Sequence, residues 1–417
     1  MRLCWLLIAA LAGAAPASSF AAGDPPRYRL DELREIARAR HPSLESASAA
    51  VAEALAAIRQ ARTVADPEAR FELRRAEAGA VSDPEYLVEL EQPLPLPGVR
   101  RARVEVGQSG LRRAEHERLE AGAAVDAAVG RLYVEILLAQ ATVEVTRESE
   151  TLSRRLAELL QRRVEVGEAP PLDALKAEAE LYARRRASVE ARRGLEAARL
   201  ALDAFCGNAL GPSFEIAGAL AGPARLPDVR ELAERIERDN PRIRSARAAV
   251  EAAEARDRLE RSLRMPGLAL SASHESELDK SVDGVGVGLT LPLWNRNRAG
   301  VAASAAAVGG ARAELRTVSL ELRSALLRTV AEHAAAAETV ALHDEGWRRA
   351  TQESVAIAEF SFASGEISLL DLLDAQRAQL AVSLEEAEAR ARLALSRFEI
   401  ERLLGGKPIE ERTDENP

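Results

Sequence analysis

Two carboxylates stand three residues apart, Asp371 and Asp374, in the phrase SGEISLLDLLDA from Ser364 to Ala375. That spacing puts both on one face of a helix. Closely spaced carboxylates repel one another, attract counter-ions and, when gathered into a ring, select cations. The same residues also suit an acidic first turn that caps a helix after Ile367 and Ser368 and complements its dipole. Other chemistry is sparse. The five histidines, His41, His116, His274, His333 and His343, show no H-E-x-x-H or comparable ligand spacing, and no G-x-S-x-G, P-loop or Cys–His pair occurs. Met265 is the only methionine beyond the first residue. No cofactor and no dedicated metal site are expected, and the sequence points away from an enzyme. A net charge of -9 disfavours nucleic acid as a partner.

The elements that must carry these residues are long helices. Aromatics make up only 3% of the 417 residues, and Ala, Glu, Leu and Arg dominate, a profile of coiled coils. Residues 1–22 read as a secretory signal: Arg2, an apolar run from Leu3 to Leu11, then small residues at Ser19, Ala21 and Ala22. The apolar run is too short to span a bilayer. Cys4 stands at the start of that run and not at a cleavage site after it, so no lipid-modified cysteine is expected, and Cys206 is left as a buried packing residue.

The chain repeats itself. VGEAPPLDALKA, from Val166, has Gly, Glu, Leu, Asp, Leu and Ala at the same relative places as SGEISLLDLLDA. Pro42 matches Pro241 and Pro67 matches Pro266, each 199 residues on; Pro95 matches Pro292 at 197; Gly167 matches Gly365 and Gly207 matches Gly405 at 198. The mature chain therefore divides into units at 23–220 and 221–408, with a polar tail at 409–417. Each unit is expected to hold a helix of about Leu30–Ala65 or its counterpart, then a β-hairpin (about 68–97 and about 266–293), then a very long helix (about 98–164 and about 295–362) and a helix like that of about Leu172–Phe205. In the hairpins Phe71 and Leu73 alternate with Arg70, Glu72 and Arg74; Val88, Leu90 and Leu94 alternate with Glu89 and Glu91; and VSDPE and ELDKSVDG are expected in the turns. Val125, Val129, Leu132, Ile136, Ala139 and Val143 form a heptad seam.

Four strands cannot close a barrel, and an open edge in lipid is prohibitively costly. Three chains giving four strands each can close twelve, with apolar residues toward lipid and charged ones toward a lumen. A soluble four-stranded sheet on a helical stalk, a periplasmic scaffold, is the alternative reading.

LEQPLPLPGVRRAR, GVGVGLTLPLWNRNRAG, the two G-E phrases and the closing LLGG resemble, in order, the outer-membrane efflux protein (TolC-like) family of Gram-negative bacteria, over essentially the whole mature chain. The resemblance implies a mainly α fold of tandem-duplicated helical hairpins, with two β-hairpins per chain in a homotrimeric twelve-stranded barrel. It implies an outer-membrane duct that reaches into the periplasm and docks a periplasmic adaptor and an inner-membrane pump of the resistance-nodulation-division type. EQPLPLPGVRRAR is most similar to the heavy-metal branch; ducts for drugs or type I protein secretion are the alternative.

The resemblance also assigns roles. Asp371 and Asp374 correspond to the carboxylate pair at the family's periplasmic aperture, whereas the first unit has Asp173 and Lys176 at the matching places. Val166, Gly167, Glu168, Ser364, Gly365 and Glu366 are expected to form the adaptor-docking turns. Ile367 stands where certain members carry a basic residue of the closing network. Arg100, Arg101, Arg103, Arg296 and Arg298 fall in the first turns of long helices, where the dipole disfavours cations. At a membrane boundary they would meet anionic lipid headgroups; otherwise they make a solvated, salt-bridged helix start.

Overall fold

The computed structural model describes residues 26–78, 81–211, 213–220, 222, 226–277, 280–407 and 409. The expected signal and nearly all of the expected tail lie outside them. The first half runs β1 (Arg27–Tyr28), α1 (Leu30–Arg40), α2 (Pro42–Arg62), β2 (Glu68–Ala78), β3 (Val81–Leu94), α3 (Pro97–Glu165) and α4 (Pro171–Phe205). The second half repeats the order: β4 (Glu215–Ile216), α5 (Val229–Asp239), α6 (Pro241–Ser262), β5 (Gly267–Glu277), β6 (Lys280–Thr290), α7 (Arg298–Leu342), α8 (Arg348–Ala363) and α9 (Leu369–Leu403). Core positions repeat as well: Leu33 and Leu232, Leu202 and Ile400, and Cys206 and Leu404 are all buried. Burial pushes the Cys206 thiol up to about 11, with Asp203 adding to the effect, so it packs as a small apolar group.

Proline sets four of the helix starts. Pro42, Pro97, Pro171 and Pro241 occupy the first helical position, where the missing N–H has no intrahelical partner to lose. The helix expected over about Leu30–Ala65 is therefore two helices. His41, with φ -73° and ψ 125°, is extended because proline follows it, and Asn240 repeats the break. Asn240 accepts from the N–H of Arg242 and Ile243 and donates to the Leu403 carbonyl at 2.7 Å, which ties α6 to the end of α9. The 69 residues of α3 form one unbroken helix, a rod of about 100 Å. Its counterpart is interrupted: between α7 and α8 the helix kinks at His343–Trp347, where Gly346 adopts a non-helical φ of 142°. The end of α4 meets the start of α2, with the Phe205 and His41 rings 4.5 Å apart, so two short helices line up along one long one.

The two hairpins join through β3 and β5 into one antiparallel sheet of order β2-β3-β5-β6. VSDPE does not form a turn. Val81 to Pro84 pair with Ala78 to Arg75, and only residues 79–80 separate the strands. Pro84 is tolerated because β5 pairs only from Tyr86 onward, so β3 has a neighbour on one side there. Most of ELDKSVDG is likewise strand, with only residues 278–279 between β5 and β6. The small parallel pair β1–β4, tied by Arg27 to Glu215 at 2.8 Å, is a feature that the alternation pattern did not announce. Among the described residues no helix is long and apolar enough to cross a membrane.

Candidate functional site: the strand faces, the distal turns and the α9 carboxylates

Residues directly opposite in an antiparallel ladder share a face. The register places Phe71 with Val88 and Leu73 with Tyr86, and continues through Leu90, Ala272 and Val285 and through Leu270 and Val287. This face is mostly apolar yet open, with Phe71 69% and Val285 89% exposed, and toward the hairpin tips it carries a polar pair, His274 and Asp283 at 2.7 Å. The opposite face carries Arg70 beside Glu89 at 3.6 Å, and Arg74 between Glu72 at 3.0 Å and Glu275 at 3.9 Å. In its second half that face is small, with Ser271 and Ser273 opposite Gly286 and Gly284. A sheet with an exposed apolar face, an ion-paired face and two unpaired edges, β2 and β6, fits a segment of a membrane barrel.

At the far end of the rods the two phrases fold identically. Gly167 (φ 76°) and Gly365 (φ 78°) follow α3 and α8 in the left-handed region. Gly167 N–H donates to the Val164 carbonyl and Glu168 N–H to that of Arg163; Gly365 and Glu366 donate likewise to Phe362 and Ser361. These are Schellman ends, which satisfy terminal carbonyls and favour glycine. Val166, Gly167, Glu168, Ser364, Gly365 and Glu366 are all exposed. The turns lie side by side over one apolar cluster, in which Leu156, Leu160, Ala174 and Ala177 pack with Ala358, Leu369, Leu372 and Leu373. Ile367 packs against this cluster, as an apolar residue at that place should.

Just inside this end, Asp371 is the third residue of α9 and closes a capping box. Ser368 donates its hydroxyl at 2.6 Å and its N–H at 3.0 Å to Asp371 Oδ2, and Asp371 N–H donates to Ser368 Oγ at 3.3 Å. The Ser368 hydroxyl, helped by its N–H, holds the Asp371 carboxyl below the usual range. Asp374 is exposed on the same side, with Arg377 donating to it at 3.4 Å. Leu372 and Leu373 between them are buried, so both carboxylates face outward from the cluster.

Arg377 has a stronger partner that the sequence reading missed. Its Nη2 donates at 2.7 Å to Glu180 of α4, which also pairs with Arg184. Burial pushes the Glu180 carboxyl up, but the Arg377 hydrogen bond and the charges of Arg184 and Arg377 outweigh it and hold the group below its ordinary range. Glu180 and Arg184, four apart, were legible as a helical pair; the tie to a residue 197 positions away was not.

The boundary arginines lie at the strand end of the rods, and all five are exposed. Arg100 donates to the Arg62 carbonyl at 3.0 Å, at the end of α2, so part of its dipole penalty is offset by a neighbouring helix terminus. Arg296 is not in a helical turn, contrary to the expectation. Asn297 adopts φ 48° and α7 begins at Arg298, since Asn297 turns back to donate to the Glu260 carbonyl and carboxylate. Among the described residues no group of three potential ligands could hold a metal ion.

Twice-repeated helical rods carrying a barrel-type sheet at one end define a protomer of a helix-extended membrane channel. The chain belongs to the outer membrane efflux protein family, whose model matches residues 33–208 and 232–406, and it is an outer-membrane channel protein of that family. It is 25% identical over 350 residues to the cobalt-zinc-cadmium resistance protein CzcC of Cupriavidus metallidurans, covering 84% of this chain and 83% of that one. It is 28% identical over 333 residues to the nickel-cobalt-cadmium resistance protein NccC of Alcaligenes xylosoxydans xylosoxydans, covering 76% and 72%. The fold matches the outer membrane protein VceC of Vibrio cholerae with a TM-score of 0.76 at 18% identity, over 90% of this chain and 96% of that one.

Proposed function

We propose that three copies of this chain form the exit duct of a tripartite efflux system that expels divalent metal cations. The observation that carries the reading is the sheet: one exposed apolar face, one ion-paired face and two unsatisfied edges. Pairing β6 of one copy with β2 of the next closes twelve strands and leaves no edge in lipid. The rods support the same assembly, because α4 exposes Leu172, Leu175 and Tyr182 and α8 exposes Ile357 and Phe360, apolar residues that a neighbouring copy would cover. The likeness to CzcC and NccC, named for resistance to such metals, supports metal cations as the cargo over drugs or secreted proteins.

In this reading residues 1–22 direct export, 23–220 and 221–408 are the two efflux units, and 409–417 is a tail. Asp371 and Asp374 ring the periplasmic aperture. The turns at Val166–Glu168 and Ser364–Glu366 dock a periplasmic adaptor coupled to an inner-membrane pump of the resistance-nodulation-division type. Arg100, Arg101, Arg103, Arg296 and Arg298 meet outer-membrane phospholipid headgroups. Native mass measurement of the detergent-extracted protein is expected to give a trimer. A stable monomer with protected strand amides would remove the model.

A further inference from the structure

The joint between the two units inside one chain describes a second joint that the chain alone cannot make. Helix packing runs in the order α4, α3, α9, α7, so α3 has neighbours on both sides while α4 and α7 end the row. Midway along the rods, α3 and α7 correspond at an offset of 197, with Val125 and Leu322, and Val129 and Leu326, buried in both. The helices after the distal turns correspond at 198, with Leu202 and Ile400 buried. On α3, Gly130 and Val134 are buried, yet their matches on α7, Leu327 and Ala331, are exposed. On α9, Leu395 and Phe398 are half-buried, yet their matches on α4, Ala197 and Leu200, are exposed. Each end of the row thus leaves open a stripe whose counterpart is closed within the chain.

We infer that Leu327 on α7 of one copy seats against Leu200 on α4 of the next, in the place that Gly130 and Phe398 hold within the chain. The inner joint concentrates its bulk in one side chain. A carbon added at Gly130 would stand 3.0 Å from the Phe398 ring, so in a close-packed contact no residue larger than glycine fits beneath it. The outer joint divides its bulk between two leucines, 53% and 59% exposed in the single chain, and Ala331 and Ala197 beside them let the helices approach. Phe398 set over Leu327 would overpack. The two joints are therefore not interchangeable, and first and second units must alternate round the assembly. That the partner is a second copy rests on the exit-duct reading; which faces meet rests on the repeat.

Paired cysteines test the contact in the full-length, detergent-extracted protein. Leu200→Cys with Leu327→Cys, treated with a short bis-maleimide before denaturation, is expected to link subunits into a covalent trimer on a denaturing gel. Neither single variant should do so, and Cys206 is buried and does not compete. A double-mutant cycle adds a second readout. Leu200→Ala and Leu327→Ala should each speed trimer dissociation by about fivefold or more. Together they should fall short of the product of the two by about threefold or more, as residues in contact do. A trimer by native mass in which no link forms and the two effects simply multiply overturns the pairing and leaves the duct standing. A link that closes within one chain overturns the pairing too, and a stable monomer removes both readings.

Discussion

The two distal turns share a backbone and differ in charge. Both end a long helix in a Schellman glycine, and both are followed by an acidic residue at the third position of the next helix. In the first, Asp173 sits 3.7 Å from Lys176 on its own helix. In the second, Asp371 is held by Ser368, and Asp374 shares Arg377 with Glu180 of α4. One turn is thus neutralised locally, and the other leaves two carboxylates exposed while spending its cation on the opposite hairpin. Duplication supplied the geometry, and divergence placed the negative charge on one copy only. If that contrast sets the conduction path, Asp371→Asn with Asp374→Asn should raise the divalent-ion concentration needed for block by about tenfold or more in single-channel recordings. Asp173→Asn should leave it unchanged. Equal relief from both would erase the distinction between the halves.

The Arg377–Glu180 bridge ties the two turns to each other. Arg377→Ala leaves Glu180 with Arg184 alone and should cost about 1 kcal/mol, the modest figure reflecting how exposed Arg377 is. That corresponds to a several-fold rise in the open population if the bridge holds the hairpins together. The pH dependence has a definite sign. The Glu180 carboxyl lies below its unfolded value, so its contribution is complete at neutral pH, above the ordinary carboxylate range. It is lost as pH falls through the folded value. Wild-type channels should open more readily in acid, and the Arg377→Ala variant should lose most of that response.

Gly167→Val and Gly365→Val address the feature the turns share. Neither glycine has anything within 4 Å of where a side chain would begin, so the cost is conformational, about 1–2 kcal/mol at each turn. Adaptor affinity measured on immobilised trimers is expected to fall for both variants with assembly intact. Unchanged affinity at both would remove the docking role.

Most of this architecture was legible because duplication writes each signal twice. Pro67 with Pro266, and Gly167 with Gly365, fixed breaks and ends that one instance would have left ambiguous. Alternation at Phe71–Arg74 and Val88–Glu91 gave the sheet faces, since a period of two has one physical source. What was missed lacked a local signal. VSDPE has turn composition, yet strand pairing on one side overrode it. The break at His41 needed the conformational limit that Pro42 imposes on the residue before it. The partner of Arg377 depends on how two hairpins pack, which no spacing encodes.

The smallest effect separates the two roles of Asp371, as a helix cap and as a charge at the pore. Ser368→Ala removes the hydroxyl that donates to the carboxylate and accepts from the Asp371 N–H, and leaves the carboxylate itself in place. Because that hydroxyl is the main reason the Asp371 carboxyl lies low, its pKa should move upward toward the ordinary value. A carboxylate with a raised pKa is protonated earlier as pH falls, so divalent block should weaken at a higher pH than in wild type, with block at neutral pH unchanged. A capping residue with no place at the pore predicts otherwise: the helix start would fray, seen as faster exchange at Leu372 and Leu373, while the pH profile of block stayed where it was. Measuring block and exchange on the same variant decides between them, because only the pore role couples the serine hydroxyl to the ion.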